Sequence, residues 1–546
     1  MQERIKQYVA ELFSIDVEPM INVPDEQFGD LVTNVAMQIA GQLGENPREV
    51  AEKIANKLRE LDIVSVASVA GPGFINLRFS DKYLLQQAQS EPAKTLAGKK
   101  YLVEYSDPNP FKPLHAGHLY TTLVGDVLAR LVEGAGAETI RLNFGGDVGM
   151  HVGKTMWAVV RVLGGENVEE VKALPVETLG EWMGARYVEG NNAYDDDEQD
   201  QAEIKAVNKR VYQLHAENDH DSAFAQIYWY LRDASYEFFK KLYDELQVVA
   251  FDRFIPESEV AAPGLAAVKA HTPGVFEKSD GAVVFDGEAH GLHTRVFINN
   301  EGLPTYEAKD VGLSLTKWND YHADQSIIIT ANEQAQYMQV VIKAIEQFEP
   351  DAALTTKHLT HGVVKLAGGV KMSSRKGNIL SAFDILQAAR EAGDTSEETM
   401  LAAVKYALLK NRIGGDIVYD PKESIATEGN SGPYLQYAHA RAKSILRKSE
   451  AQTPKIDITQ LEAGERTLVR KLAQFASTVE LATAELAPHH ICTYLYELAQ
   501  EFNRFYEQNK VIGDARETER LWLVSRYAAT LKNGLSLLGI HAPEQM

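Results

Sequence analysis

VEYSDPNPFKPLHAGHLYTTLVGDVLARLVEGAGAETIRLNFGGDVGMHVGK, residues 103–154, is the stretch whose reading decides the fold. Alternation of apolar and polar residues over 102–105 predicts a half-buried strand. Pro108, Pro110 and Pro113 then break it, and His115-Ala116-Gly117-His118 follows. Leu119, Leu123, Val127 and Leu131 recur at helical spacing, predicting a helix over 119–134. A second strand is predicted over 139–144, ending in Gly145-Gly146-Asp147. Strand, crossover helix and strand in so short a space make a βαβ unit, hence a parallel sheet with a ligand crevice at its strand ends.

The residues at this helix start suggest a chemistry. Two imidazoles flank a glycine where free N–H groups and the helix dipole favour an anion. Gly117 leaves the backbone open to a flat ligand or a phosphate. Both histidines could donate to phosphate oxygens as charge builds during displacement at an α-phosphate. The alternative is a pair of histidines that merely packs against a helix N-terminus, and the pattern alone does not decide. A second signal is Lys371-Met372-Ser373-Ser374-Arg375-Lys376-Gly377-Asn378, a basic loop after a strand-like stretch at 359–366. Such a loop could bring ammonium groups to the β- and γ-phosphates of a leaving pyrophosphate. A charged surface turn is the alternative reading, but the two signals together in one α/β chain are far less accidental than either.

The 546 residues suggest three or four domains. No apolar run is long enough to cross a bilayer, and MQERIKQYVA, amphipathic and partly acidic, does not read as a secretory signal. The only cysteine, Cys492, excludes disulfides within the chain and a cysteine-rich zinc site. A cytoplasmic protein without a metal cage is expected. The net charge of −22, from 77 acidic and 55 basic residues, argues against indiscriminate nucleic-acid binding. It leaves room for one shaped RNA met at local patches.

Residues 1–95 read as a small α+β unit, with helices over 30–43 and 50–58 and strands over 66–69 and 74–78 turning at Gly71-Pro72-Gly73. Residues 96–420 hold the βαβ unit and a helix-rich insertion at about 165–247, whose acidic run at 195–198 reads as a solvated face. The insertion is expected to separate two halves of the sheet, with strand-like segments returning at 282–285, 294–299 and 326–330. Residues 421–546 read as helical. There Arg441, Lys443, Arg447 and Lys448 interleave with Tyr437 and His439, and Asn503, Arg504 and Tyr506 could face outward. Tyr494, Leu498, Phe502 and Phe505 have core spacing. Rings among cations suit unpaired bases of an RNA loop, and a plain helical bundle is the alternative.

On these residues the chain resembles the class I aminoacyl-tRNA synthetases, whose signatures are written HIGH and KMSKS. HAGH matches the first with Ala116 for Ile, and KMSSR matches the second with Ser374 for its second lysine. Within that class it resembles the arginyl-tRNA synthetases, which often lack that lysine and carry another just ahead of HIGH, here Lys112. The resemblance covers essentially the whole chain. Phe28-Gly29-Asp30 with Asn34, and Ala70-Gly71-Pro72-Gly73-Phe74-Ile75-Asn76, look like that family's extra N-terminal domain, whose implied role is contact with the tRNA elbow. The stretches at 430–441 and 533–540 look like its catalytic–anticodon junction and the end of its anticodon-binding domain. The implied fold is multidomain α/β: a Rossmann-like parallel-sheet catalytic domain (96–420), an α+β N-terminal tRNA-contacting domain (1–95) and an all-α C-terminal anticodon-binding domain (421–546).

The resemblance implies Lys112, His115, His118, Lys371 and Ser373 as catalytic residues, with His115, Gly117, His118, Lys371 and Met372 holding ATP. It implies Glu104, Ser106, Asn109, Tyr306, Asp310 and Gln334 for arginine. The pocket also makes chemical sense: a guanidinium is a planar, always charged fork of five donors, so its site needs carboxylates held in plane. Glu104 and Asp310 supply them and Tyr306 a hydroxyl, a geometry in which a lysine's point charge cannot satisfy both carboxylates. Asn109 and Gln334 would hold the α-amino and α-carboxylate groups, with Glu333 replacing Gln334 if the register shifts by one.

The implied activity is arginine–tRNA ligation through arginyl-adenylate, by positioning and charge stabilisation rather than an enzyme nucleophile. The implied partners are ATP with Mg2+ held by phosphates and water, L-arginine, and the tRNA specific for arginine. No protein metal site and no membrane are expected, and the chain is expected to act as a monomer. The family further implies that adenylate formation depends on bound tRNA. Two rivals remain: another enzyme with an HxGH motif, such as a different class I synthetase or a small nucleotidyltransferase, and a tRNA-binding relative without activity.

Overall fold

The predicted βαβ unit is present in the computed structural model, which describes residues 1–367, 380–449, 458 and 460–546. Strands Lys100–Glu104 and Glu138–Gly145 pair in parallel on either side of helix Ala116–Gly134 in the chain. The central sheet has five parallel strands, in the spatial order Thr356–His361, Gln325–Ala331, Lys100–Glu104, Glu138–Gly145, Arg253–Pro256. The chain builds outward from Lys100–Glu104 on one side and then crosses to Gln325–Ala331 on the other. Strand order therefore reverses between these two strands, and their C-terminal ends open a crevice. Both faces of the sheet are covered, so Leu102, Val103, Ile327, Ile328 and Ile329 are all buried.

Two segments expected to rejoin this sheet do not. Ala282–Phe285 pairs with Glu277–Ser279 on one side and Arg295–Ile298 on the other, in a separate antiparallel sheet. Short strands linked by tight connections pair with each other, whereas a parallel neighbour needs a long crossover. The helices Val168–Lys172, Leu179–Asp196, Glu198–Ala216 and Ala223–Glu245 stand between the second and third strands, so they interrupt the first half of the sheet rather than separating two halves. The third strand, Arg253–Pro256, has four residues, too few to show a period. The acidic run lies at a helix junction, where Asp197 accepts the N–H groups of Gln199 and Asp200 and caps the following helix.

The N-terminal unit is an antiparallel sheet in the order Ile21–Asn22, Leu31–Thr33, Phe74–Phe79, Val64–Ala70, packed with helices Gln2–Phe13, Val35–Leu43 and Pro47–Arg59. The helix expected from residue 30 starts only at Val35. Asp30 instead enters a strand: its N–H donates to the Leu77 carbonyl, and its carboxylate accepts the Phe79 N–H at 2.7 Å. Gly29 permits that turn at φ 121°, with Leu77 O only 2.6 Å from where a Cβ would stand.

Helices Gly432–Lys448, Ala463–Leu472, Phe475–Glu485, His489–Gln508 and Glu517–Leu537 form the C-terminal unit, and Tyr494, Leu498, Phe502 and Phe505 are buried in it as expected. It is clasped to the N-terminal unit by Arg466, which donates to both oxygens of Asp30 at 3.1 and 2.7 Å, to the Phe79 carbonyl and to Asp81. It also covers helix Ala116–Gly134: Lys405 donates to the Gly539 carbonyl at 2.6 Å, beside the Asp126–Arg130 pair of that helix.

Candidate active site

The helix that carries HAGH begins at Ala116, three residues earlier than its apolar spacing predicts, because His115 caps it. The Gly117 N–H donates to His115 Nδ1, and the His115 N–H donates to His118 Nδ1, each at 3.1 Å. The two rings stack with centroids 3.7 Å apart. An Nδ1 that accepts an N–H bears no proton, so each neutral ring carries its hydrogen on Nε2. Burial, with Lys112 and His361 nearby, lowers the His115 pKa to about 4. Burial and His115 hold His118 well below the ordinary histidine value. The pair is therefore two neutral Nε2–H donors at the N-terminus of a long helix, suited to phosphate oxygens. A Cβ on Gly117 would stand 2.8 Å from His115 Nδ1, so glycine is needed for the cap itself as well as for access.

Other residues converge on this end of the sheet. His361 closes strand Thr356–His361, packs edge-on against Tyr120, and donates from Nδ1 to the Gly362 carbonyl at 2.7 Å. Lys112 lies in the loop before the helix, close enough for its charge to depress both HAGH histidines. Burial lowers its own pKa, with Glu257 opposing that shift. Lys371, Met372 and Ser373 lie outside the described residues. The chain re-enters the described structure at Leu380, whose carbonyl accepts the Ala116 N–H at 2.8 Å, and the Ala382 N–H donates to Leu114 O. The segment from Leu380 to Ala382 is thus tied to the backbone of the first signature.

The expected cation pocket has its carboxylates, with additions. Glu104 is buried at the end of its strand and accepts from Lys317 Nζ at 2.6 Å, both side chains being about 95% withdrawn from solvent. Asp310 accepts the Tyr337 hydroxyl. Withdrawal from water pushes its carboxyl up to about 7; the Tyr337 hydrogen bond opposes the rise and the charge on Glu104 adds to it. Asp107 joins them: burial and Glu104 raise it well above the usual carboxylate range, although it accepts the Phe144 N–H at 2.8 Å. Three carboxyls against one lysine leave an excess of acidic groups here, an arrangement that can take a planar cation. Tyr306, about half exposed, opens to solvent one helical turn before Asp310.

The remaining expected ligands divide. Asn109 accepts the Gly146 N–H through Oδ1 at 2.8 Å, which leaves its amide N–H groups for a ligand. Gln334 and Glu333 are both exposed in a short 3₁₀ turn after strand Gln325–Ala331, at the crevice. Ser106 is in the wall: its hydroxyl is bonded to those of Thr122 and Tyr243 at 2.8 and 2.9 Å. Ser106, Asp107 and Phe111 all take positive φ (74°, 47° and 66°), a strained path that aims this loop across the strand ends.

Sequence reasoning missed Asp107, Lys317, Tyr337 and His361. Two left a signal. Asp107 lies between Ser106 and Asn109, both expected at the arginine site, and Lys317 follows Asp310 by seven residues, two turns on the same helix face. Tyr337 and His361 come from distant elements and left none. In the C-terminal unit, His439 is buried against the Pro543 carbonyl, and Lys443 and Arg447 reach Glu544. Tyr437 remains exposed, and Arg441 lies over the Tyr506 ring at 4.8 Å.

Comparison with known proteins agrees over the full length. The arginyl tRNA synthetase N terminal domain model matches residues 1–79, the catalytic domain of class I tRNA synthetases (R) residues 81–414, and the DALR anticodon binding domain residues 435–546. An arginine–tRNA ligase of Bdellovibrio bacteriovorus is 32% identical, over 96% of this chain and 94% of the relative. One of Cutibacterium acnes is 31% identical, over 98% of each. The solved structure of Thermus thermophilus arginyl-tRNA synthetase is similar at TM-score 0.82 and 26% identity, over 100% of this chain and 99% of that one.

Proposed function

The chain belongs to the arginyl-tRNA synthetase family, and from that membership and the geometry of its site we infer that it joins arginine to the 3′ end of a tRNA, driven by ATP. The acidic pocket of Glu104, Asp107 and Asp310, opening beside two neutral histidine donors, is the observation that carries this reading. Arginine lies with its guanidinium among the carboxylates and its backbone groups toward Asn109 and Gln334. An oxygen of its carboxylate attacks the α-phosphate of ATP, the bond to the β-phosphate oxygen breaks, and pyrophosphate leaves. His115 and His118 donate to phosphate oxygens through Nε2–H, Gly117 leaves room for the nucleotide, and Lys112 adds a positive charge from the loop side. Lys371, Met372 and Ser373 are the proposed partners on the pyrophosphate side. A hydroxyl of the terminal adenosine then attacks the adenylate carbonyl, and AMP leaves.

Among the described residues no group of three His, Cys, Asp or Glu side chains is arranged to hold a metal. In this reading magnesium arrives on the triphosphate, ligated by phosphates and water. The exposed Tyr437, with Arg441 over Tyr506, is the proposed platform for an unpaired base of the anticodon loop. No helix among the described residues is long and apolar enough to cross a membrane, and the proposed setting is the cytoplasm, with a monomer as the working form. The test is charging of bulk tRNA with each of several labelled amino acids, with and without ATP. ATP-dependent incorporation of arginine alone is expected. Charging with another amino acid would refute the pocket, and no charging by protein that still binds tRNA would refute the ligase.

A further inference from the structure

Helices from the insertion pack directly on the loop that carries Lys112. Phe111, fully buried at φ 66°, donates its N–H to Ser235 Oγ at 3.2 Å and stacks on Tyr228 with centroids 5.3 Å apart. Pro113 lies so near Gly184 that a Cβ there would touch it at 3.5 Å. Between these two anchors the Lys112 ammonium sits over the ring of Tyr187, 5.2 Å from its centroid. Among the described residues Lys112 Nζ has no hydrogen bond and no carboxylate within 4.0 Å, although Lys154, Lys309 and Lys317 nearby each have a polar partner within 3 Å.

That difference has a physical consequence. An ammonium on four methylenes needs something to fix it, or it loses side-chain entropy when it meets its target. A carboxylate would fix it, but would also neutralise the charge and compete with a phosphate. The face of an aromatic ring attracts a cation without cancelling it. Taking Lys112 as a phosphate-contacting group, as the proposed function does, we propose that Tyr187 is a positioning residue that holds the Lys112 ammonium toward HAGH while leaving its charge available to ATP. The insertion then acts in adenylate formation, with Ser235, Tyr228 and Gly184 fixing the loop backbone and Tyr187 the side chain.

The experiment is arginine-dependent ATP–pyrophosphate exchange by the full-length chain with its tRNA present. Tyr187→Leu should lower kcat about tenfold with the KM for arginine unmoved, and Tyr187→Phe, which keeps the ring, should stay within about twofold of the parent. Phenylalanines of increasing fluorination at position 187 keep the shape but weaken the ring's negative face, and should lower kcat in graded steps. In a Lys112→Ala background none of these changes should matter. A flat fluorination series, or an equal loss in the Lys112→Ala background, would overturn the proposal, and the fluorinated series decides it even if Tyr187→Leu does not fold. Should Lys112→Ala itself exchange as fast as the parent, the reading of Lys112 on which the proposal rests would be what fails.

Discussion

Arginine binding should titrate with Asp310. Its carboxyl is pushed up to about 7 by withdrawal from water and by the charge on Glu104. A guanidinium is charged at every relevant pH and binds the ionised carboxylate, so the competent fraction of the enzyme is the ionised fraction. With a midpoint near 7, that fraction falls from roughly nine-tenths at pH 8 to roughly one-tenth at pH 6. The KM for arginine should therefore rise about tenfold over those two pH units, and level off above about pH 8. The direction is fixed by the sign of the shift: a raised carboxyl is protonated first as pH falls, and binding weakens. The HAGH histidines do not mask the effect, since His115 is lowered to about 4 and His118 lies well below its ordinary value. Tyr337 donates to Asp310 and works against the rise, so Tyr337→Phe should move the midpoint upward. The assay is initial-rate charging of tRNA across pH 5.5–8.5 at saturating ATP, a window of about three units around the expected midpoint. A KM that stays flat down to about pH 5.5, or the same pH dependence in Asp310→Asn, would refute the argument.

Gly117→Ala would place a methyl 2.8 Å from His115 Nδ1 and push that ring off the helix N-terminus. The lost cap should cost about 1 kcal/mol of stability, while kcat for adenylate formation should fall by at least about tenfold, measured by exchange alongside a thermal melt. Arg466→Leu leaves the buried Asp30 carboxylate with the Phe79 N–H and, as its remaining cation, Arg470 at 3.3 Å. A loss of about 3–5 kcal/mol is expected, read by urea unfolding, and a loss below about 1 kcal/mol would contradict the clasp. Lys405, buried against the Gly539 carbonyl, is lowered to about 8 chiefly by burial. The unfolded chain then holds more protons than the folded one from about pH 8 to 10.4, so stability should rise with pH across that window, by up to about 3 kcal/mol. Lys405→Met should remove that rise when the two stability profiles are subtracted.

What the sequence determined by itself is what a few neighbouring residues can encode. The strand, proline-broken loop and helix of residues 103–134 and the second strand after it rest on backbone periodicity and local sterics, and all are in place. The predicted core stripe of Tyr494, Leu498, Phe502 and Phe505 holds for the same reason. Helix starts and very short strands did not follow, because a cap or a distant pairing moved them: His115 added a turn to its helix, and Asp30 left a helix for the bend that leads into strand Leu31–Thr33.

The electrostatics of the site belong to the tertiary structure alone. Lys317 meets Glu104 across 213 positions of chain, Tyr337 meets Asp310 across 27, and Arg466 meets Asp30 across 436. Such partners share no period, so no window of sequence contains them. They decide which carboxylate is neutralised and which is raised toward neutral pH. Those properties depend on burial and on charges a few ångströms away, and distance in space is set only when the sheet closes and the strand order reverses.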